Sequence, residues 1–336
     1  MYRNAVDVKE NMRVLLSTLT LMIFGALLLY PSVSMAQEEP TDQEISQAVQ
    51  NALFTDEGVS GFLIDVETND GVVTLQGSVN NLLAKQRAED LTETVKGVRG
   101  IVNRLEVKPP ARTDEELRDA VRNALLKDPA TESWEVFVSV EDGAVTLTGT
   151  VDSWQEKRLA AKVAKGVNGV EALENEITVD YKVERSDNEI ESEVVARLRW
   201  DTLVDNALIS VDVDGGEVEL GGTVGSLAEK TRAISDAWVA GVEAVDGSDL
   251  KVSSWARDER FRKDKYTKKN DKEVEEAVND TLLYDPRVNS FNVDVSASDG
   301  VVTLSGRVNN LKAKRSAAKD ARNIVGVWRV KNQLKI

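Results

Sequence analysis

The sequence has 336 residues, 41% of them hydrophobic and 30% charged, a composition typical of soluble globular proteins with two or three domains. It contains no histidine and no cysteine, which excludes imidazole catalysis, disulfides, thiolate sites and a lipid-modified cysteine. A net charge of −16 argues against nucleic-acid binding by the whole chain, because phosphate neutralisation requires clustered Lys and Arg. We therefore expect an acidic protein that is not an enzyme, with no cofactor, metal or small-molecule substrate.

Residues 1–36 have the pattern of a secretory signal peptide. A basic start is followed by an uncharged, mostly apolar run at residues 14–29, and Ser34 and Ala36 supply the small residues that signal peptidase recognises. The sequence predicts cleavage after Ala36 and export to the periplasm. The alternative is an uncleaved membrane anchor, although the 16 residues of the run fall short of the ~20 that span a bilayer.

Four copies of one unit follow. The pattern Val-Thr-Leu-x-Gly-x-Val occurs three times, with a close fourth version, at Val73–Val79, Val145–Val151, Val302–Val308 and Val218–Val224. In every copy, the glycine that opens the second strand lies 18 positions after the last apolar residue of the first predicted helix. Unrelated segments would not keep this register. The sequence predicts repeats 1 to 4 at residues 41–108, 113–180, 186–253 and 270–336.

Each repeat begins with a predicted amphipathic helix. In repeat 1, apolar residues stand at helical spacing at Ile45, Val49 and Leu53. A capping box opens each helix, in which a side chain before the helix and a glutamate three residues later satisfy each other's backbone amides. The four capping pairs are Thr41 and Glu44, Thr113 and Glu116, Ser186 and Glu189, and Asn270 and Glu273.

Two strands, a second helix and a last strand complete each repeat. The first strand has alternating apolar residues, and its inward side includes Phe62 in repeat 1 and Phe291 in repeat 4. Asp70-Gly71 and its equivalents predict a tight hairpin turn. The second helix begins after an N-cap at Asn81, Ser153, Ser226 or Asn310 and ends at a Gly-Val pair such as Gly97-Val98. The last strand is short, as at Gln333–Ile336.

This α-β-β-α-β order predicts an α+β protein. Each repeat would be a three-stranded mixed sheet, covered on one face by two helices. Four structural glycines fall on the inward side of the second strands, at Gly77, Gly149, Gly222 and Gly306. A glycine in such a position indicates the close approach of another backbone, which we expect to be a helix lying across the sheet.

These motifs resemble the BON-domain family. The resemblance rests on the Asp-Gly-x-Val-x-Leu-x-Gly-x-Val hairpin, the Gly-Val pair, and a Leu-x-x-Asp after each first helix that ends at Asp56, Asp128, Asp201 or Asp285. The family is named for a bacterial osmotically inducible periplasmic protein and for nodulation-associated proteins. Membership implies the α-β-β-α-β sandwich, an envelope location, and attachment to phospholipid or to other envelope proteins, in support of envelope integrity under osmotic or related stress.

Charge distinguishes repeat 4 from the others. Repeats 1 to 3 have net charges of −5, −8 and −10, whereas repeat 4 has +2. Its second helix carries Lys312, Lys314, Arg315, Lys319 and Arg322, and Trp328 lies in the following turn. Cations beside an aromatic residue suit an anionic bilayer, so these six residues are predicted to bind lipid. The alternative is a solvated basic face that docks on an acidic neighbouring repeat.

Residues 254–269 form a charged linker before repeat 4. They could form an amphipathic helix that binds a partner or, as we expect, a flexible coil that spans ~20–24 Å and lets repeat 4 move independently. Repeats 1 to 3 would be more constrained. The competing hypothesis for function is a periplasmic chaperone or scaffold that binds protein clients through the acidic repeats. Lipid docking should weaken at high salt, whereas apolar client binding should not.

Overall fold

The computed structural model describes residues 39–108, 112–128, 130–131, 136–182, 184–257, 262–288 and 290–336. The predicted signal peptide lies outside these residues. Among the helices within them, none is long and apolar enough to cross a membrane.

Every repeat has the order α-β-β-α-β. Repeat 1 consists of α1 (Asp42–Thr55), β1 (Ile64–Asn69), β2 (Val72–Val79), α2 (Leu82–Glu93) and β3 (Gly100–Val107). Repeat 2 consists of α3 (Asp114–Lys127), β4 (Val136–Glu141), β5 (Ala144–Val151), α4 (Trp154–Lys165), β6 (Ala172–Asn175) and β7 (Thr178–Val179).

Repeats 3 and 4 follow the same plan. Repeat 3 consists of α5 (Asp187–Trp200), β8 (Ile209–Asp214), β9 (Glu217–Val224), α6 (Leu227–Asp236), β10 (Ala244–Asp246) and β11 (Leu250–Val252). Repeat 4 consists of α7 (Asp271–Leu283), β12 (Val293–Ser298), β13 (Val301–Gly306), α8 (Leu311–Arg322) and β14 (Arg329–Asn332). In repeats 2 and 3 the last strand is interrupted, so two short segments take the place of β3 or β14.

The sheets are mixed, as predicted. In repeat 1, β2 is central; it pairs antiparallel with β1 and parallel with β3. The hairpin between β1 and β2 turns through Asp70 and Gly71, both with positive φ, at 48° and 72°. Left-handed backbone at both turn positions matches the right-handed twist of the strands, which explains the Asp-Gly pair. The α+β class and the mixed sheet with helices are confirmed.

The first helices form for the predicted reasons, with one difference. Capping boxes close at Thr41, Thr113 and Ser186. In repeat 4, the Asn270 side chain instead accepts from the backbone N–H of Lys272, and Glu273 does not complete a box. The residues that face the sheet are buried in all four helices, and each repeat has its own hydrophobic core.

The structure corrects the start of the first strand. A 3₁₀ turn over Gly61–Leu63 precedes β1, and Ser290–Asn292 form the same turn before β12. This turn breaks the two-residue alternation, so Phe62 and Phe291 point outward and are 88% and 92% exposed. The prediction that these two rings face the core is wrong.

The role of the inward glycines also differs from the prediction. Gly77 has φ +123°, and a Cβ there would lie 2.0 Å from the carbonyl oxygen of Leu63. Gly306 has the same relation to Asn292, at 2.2 Å. The close backbone is therefore the residue that leads into the first strand, and it is not a helix.

Two helix and strand boundaries differ from the predicted ones. The helix α2 ends at Glu93, so Gly97, with φ +92°, shapes a separate turn before β3. The last strand of repeat 4 is Arg329–Asn332, and within the predicted Gln333–Ile336 the structure has an isolated bridge between Arg307 and Lys335. The chain turns into the sheet as soon as the Gly-Val pair ends, earlier than the sequence indicated.

The repeats pack through their second helices. Leu82 of α2 contacts the core of repeat 2, and Leu227 of α6 contacts the core of repeat 1. Trp154 of α4 stacks on Trp238 of repeat 3, with ring centroids 4.8 Å apart and planes 5° from parallel. These contacts place α2, α4 and α6 between the three sheets.

The linker before repeat 4 is held against repeat 3. The buried Lys265 donates through Nζ to the carbonyl oxygens of Leu198, Arg199 and Asp201, at 2.9, 2.7 and 2.9 Å. Burial lowers the pKa of Lys265 to about 8. Repeat 4 also pairs directly with repeat 3, because the Thr202 N–H donates to the Asn323 carbonyl at 2.9 Å. In its described residues, the linker is therefore not the free tether that we predicted.

Candidate functional site

The predicted lipid-binding cations lie on α8. This helix packs on the sheet of repeat 4 through the small buried residues Ala313, Ala317 and Ala321. Its N-cap is Asn310, whose side chain accepts from the Ala313 N–H at 2.9 Å. The long basic side chains are thereby left on the outer sides of the helix.

The structure does not gather all of these cations into one free surface. Lys312 Nζ lies 3.2 Å from a carboxylate oxygen of Asp128 in repeat 2. Lys314 Nζ donates to the Leu334 carbonyl at 2.6 Å. Arg315, Lys319 and Arg322 are exposed. Two of the five cations therefore have structural partners, and Lys312 agrees with the alternative of docking on an acidic neighbour.

The surroundings of Asp128 explain why Lys312 of repeat 4 docks on repeat 2. Its equivalents Asp56 and Asp201 each bind an arginine of their own second helix, Arg87 and Arg232. In repeat 2 the corresponding position holds the buried apolar residue Leu159. Asp128, 5% exposed, is instead paired by Lys312 and by Arg287, both from repeat 4.

The electrostatics of Asp128 follow from these partners. Burial by itself would raise the pKa of this carboxyl, but Arg287 and Lys312 outweigh burial and lower it. The Arg287 Nη1 atom lies 3.1 Å from both carboxylate oxygens. The buried charge is therefore compensated across the interface between repeats 2 and 4.

Trp328 occupies an exposed position, as predicted, and also has a structural contact. It is 70% exposed, and its Nε1 donates to the Asp299 carbonyl at 2.8 Å, so the ring covers the β12–β13 hairpin. The equivalent Arg99 makes the same contact with the Asp70 carbonyl through Nε, at 3.0 Å. Trp328 thus marks the hairpin end of the sheet of repeat 4.

A second basic surface extends from Trp328, and the sequence analysis missed it. Alternating residues of the last strand point away from the helices, since Val330 packs on the core and Leu334 is buried. Arg329, Lys331, Lys335 and, from the neighbouring strand segment, Arg307 are exposed. We call these four residues the basic sheet face. The signal that could have revealed it is the placement of Arg329, Lys331 and Lys335 on alternating positions of the last strand.

Phe291 marks the opposite end of the basic sheet face. It precedes β12, and the carbonyl of its neighbour Asn292 accepts from the Arg307 N–H at 2.9 Å. The face therefore has an exposed aromatic ring at each end, Trp328 and Phe291. This arrangement places four cations between two exposed aromatic rings.

The sheet of repeat 3 has an acidic row on the corresponding outer face. Asp212, Glu219 and Asp246 are directly paired neighbours across three strands. In repeat 4 the corresponding row is Ser296, Thr303 and Lys331. Carboxylates are repelled by an anionic surface, so repeat 3 is less suited to one than repeat 4. Across the described parts of the chain, no three His, Cys, Asp or Glu residues are grouped so as to hold a metal ion.

The fold defines a tandem-repeat protein built of four α-β-β-α-β units. The BON domain model matches residues 41–109, 113–181, 186–254 and 270–336. The chain belongs to the BON domain family.

Named relatives include two bacterial proteins. Osmotically-inducible protein Y of Escherichia coli is 30% identical over 143 residues, which cover 40% of this chain and 71% of that protein. Outer membrane lipoprotein DolP of Haemophilus influenzae is 31% identical over 137 residues, covering 39% and 71%. Among solved structures, CdsD, a structural protein of the type III secretion system of Chlamydia trachomatis, aligns with 61% of this chain and 90% of that chain, at 16% identity and a TM-score of 0.18.

Proposed function

We propose that the protein is an exported, non-catalytic protein of the bacterial envelope that docks on anionic phospholipid through repeat 4. In this role it supports envelope integrity under osmotic or related stress. The names of two relatives, an osmotically inducible protein and an outer membrane lipoprotein, support the setting. The signal-like pattern of residues 1–36 supports export.

The observation that carries the proposal is the basic sheet face. Each Lys or Arg close to an anionic membrane contributes about 1 kcal/mol, so the four cations contribute at most about 4 kcal/mol at low salt. The exposed Asp294 on the same face of β12 reduces this sum. A sheet presents them to a planar surface at the same time. Trp328 and Phe291 are suited to the interface, where aromatic rings of membrane proteins concentrate.

Vesicle co-sedimentation tests the proposal. Residues 37–336 are mixed with vesicles of phosphatidylglycerol and phosphatidylcholine, or of phosphatidylcholine alone, at low and high salt. A sheet variant carries Arg307→Gln, Arg329→Gln, Lys331→Gln and Lys335→Gln. A matched helix variant carries Arg315→Gln, Lys319→Gln and Arg322→Gln.

We expect the wild type to bind the anionic vesicles at low salt and to be released at high salt, because exposed charges are screened. The sheet variant should lose binding, and the helix variant should keep most of it. The reverse order would assign docking to α8. Failure of the wild type to bind would end the lipid hypothesis.

Protein-client binding is a second candidate, and one apolar patch favours it. In the acidic repeat 1, Phe62 contacts Phe54 with ring centroids 4.9 Å apart, and Leu63 beside them is exposed. Such a patch could hold an apolar segment of an unfolded client. Capture of a model unfolded protein that persists at high salt would favour this function over lipid docking.

A further inference from the structure

A cavity lies between repeats 3 and 4. It has a volume of about 230 Å³ and is lined by residues of α5, α6 and α7 together with Asn323 and Ile324. Trp200 and Tyr284 supply aromatic walls, and Arg197, Asp236 and Asp280 supply charged groups. The cavity is distinct from the basic sheet face, which lies on the side of repeat 4 away from the helices.

Two residues that line this cavity each have a buried polar atom without a hydrogen-bond partner among the described residues. Arg197 Nη1 and Asp236 Oδ2 are both buried and make no hydrogen bond. Their neighbour Arg232, by contrast, bonds to Asp201 through Nε at 2.7 Å. A buried polar atom without a partner costs about 1–3 kcal/mol, so a ligand that satisfies both would be favoured.

The two atoms have opposite requirements. Arg197 Nη1 is a donor, and its guanidinium is fixed 4.4 Å above the ring of Tyr284. Asp236 Oδ2 is an acceptor on a carboxyl that shares a single arginine, Arg232, with Asp201. A complementary ligand therefore needs an acceptor for the first atom and a donor for the second.

The charge of the cavity selects a cationic donor. Burial and then Asp201 raise the pKa of Asp236 to about 7. Burial and then Glu193 raise the pKa of Asp280. The lining itself holds four carboxyl groups against two guanidinium groups, and the carboxyl groups belong to Glu193, Asp201, Asp236 and Asp280. An ammonium group would relieve this excess, whereas a neutral or anionic donor would not.

We propose that this cavity binds a small amine that also carries an oxygen acceptor, as amino alcohols and amino acids do. The ammonium group donates to Asp236, and the oxygen accepts from Arg197. Pockets for drug-sized ligands have volumes of about 300–1,000 Å³, so this smaller cavity suits a solute as small as an amino alcohol or an amino acid. Without such a ligand, the cavity would hold a cluster of water molecules, each of which takes about 30 Å³.

Calorimetry and thermal unfolding test the site. The wild type is titrated with ethanolamine and with glycine, which share the ammonium and the oxygen. Ethylene glycol, which lacks the ammonium, and tetramethylammonium, which has no N–H donor, are the comparison solutes. Asp236→Asn and Arg197→Gln are the test variants, and the exposed Asp249→Asn is the matched control.

We expect saturable heat and a raised unfolding temperature with at least one of the two amines and with neither comparison solute. Asp236→Asn and Arg197→Gln should each weaken binding about tenfold or more, and Asp249→Asn should not. Circular dichroism checks that the variants fold, and Asp280→Asn replaces any variant that does not. Absence of saturable binding by both amines, or equal binding by the wild type and the test variants, would overturn the proposal.

Discussion

At the scale of single residues, the inward glycines show how backbone contact limits sequence. Gly222 has φ +117°, and a Cβ there would lie 2.1 Å from the carbonyl oxygen of Leu208. The adjacent Gly221 has no such constraint, because the atom that its Cβ would meet is the rotatable Ser210 Oγ, at 2.8 Å. The two neighbours therefore form a matched pair.

Gly222→Ala should lower the free energy of unfolding by about 2–4 kcal/mol, since strain and overpacking each cost about 1–3 kcal/mol. Gly221→Ala should lower it by less than about 1 kcal/mol. Urea unfolding followed by circular dichroism measures both. Equal losses in the two variants would show that the close carbonyl is not the reason for glycine at Gly222.

Sequence alternation predicted that these glycines face inward, but it could not identify the backbone that meets them. The backbone that meets them belongs to the 3₁₀ turn at Gly61–Leu63 and its equivalents, and no periodic sequence pattern predicts such a turn. This turn and its equivalent at Ser290–Asn292 point the side chains of Phe62 and Phe291 outward. The spacing of both residues from the next apolar residue is nevertheless that of a regular strand. Period-based reasoning is valid only within an element, so it was wrong at the element's first residues.

At the scale of elements, the linker before repeat 4 is held mainly by Lys265, while Arg262 adds one bond to the Thr202 carbonyl at 3.0 Å. Lys265 donates to three carbonyls at and just beyond the C-terminus of α5, where helices leave carbonyls without intrahelical partners. A cation there is also favoured by the helix dipole. The linker residues 262–269 and the N-cap Asn270 should therefore be protected from amide exchange as long as Lys265 is present.

Lys265→Met should increase amide hydrogen exchange in residues 262–270 by roughly tenfold, because the segment loses bonds whose net contribution is about 1–3 kcal/mol. Lys268→Met is the matched control, since Lys268 is exposed and pairs with the exposed Asp299. Exchange followed by mass spectrometry resolves the segment. Unchanged exchange in Lys265→Met would mean that other contacts hold the linker.

Local rules account for most of the elements. Asn81 as an N-cap, Thr41 and Glu44 as a capping box, and Asp70-Gly71 as a turn act over a few residues, and all were readable from the sequence. The bond from Lys265 to α5 spans more than 60 residues of chain. Within a run of charges, nothing distinguishes a lysine that will be buried from its solvated neighbours.

At the scale of the whole molecule, the repeats differ most where they contact one another. Asp56 and Asp201 are satisfied inside their own repeats, whereas Asp128 depends on repeat 4. Aligning the copies shows the vacant position, because Leu159 stands where Arg87 and Arg232 stand. This difference was present in the sequence but was not used there, and the pairing of Asp128 with Arg287 is visible only in the three-dimensional arrangement.

Arg287→Ala should destabilise the protein by about 1–3 kcal/mol, since it leaves a buried carboxylate with a single cationic partner, Lys312. Arg87→Ala is the matched control. It breaks the corresponding pair within repeat 1, but its arginine is 53% exposed, so the loss should be within about 1 kcal/mol. The midpoint of urea unfolding compares the two variants at neutral pH.

The pH dependence of this difference tests the electrostatic origin of the docking. Because Arg287 and Lys312 lower the pKa of Asp128 against the opposing effect of burial, the folded protein holds the Asp128 charge more readily than the unfolded chain does. The pair therefore contributes fully above the ordinary pKa of an aspartate, about 3.9, and its contribution disappears as pH falls through the lowered value. The gap in stability between wild type and Arg287→Ala should be widest near neutral pH and should narrow in acid. A gap that stays constant with pH would show that Arg287 joins repeats 2 and 4 by packing, and not by its charge.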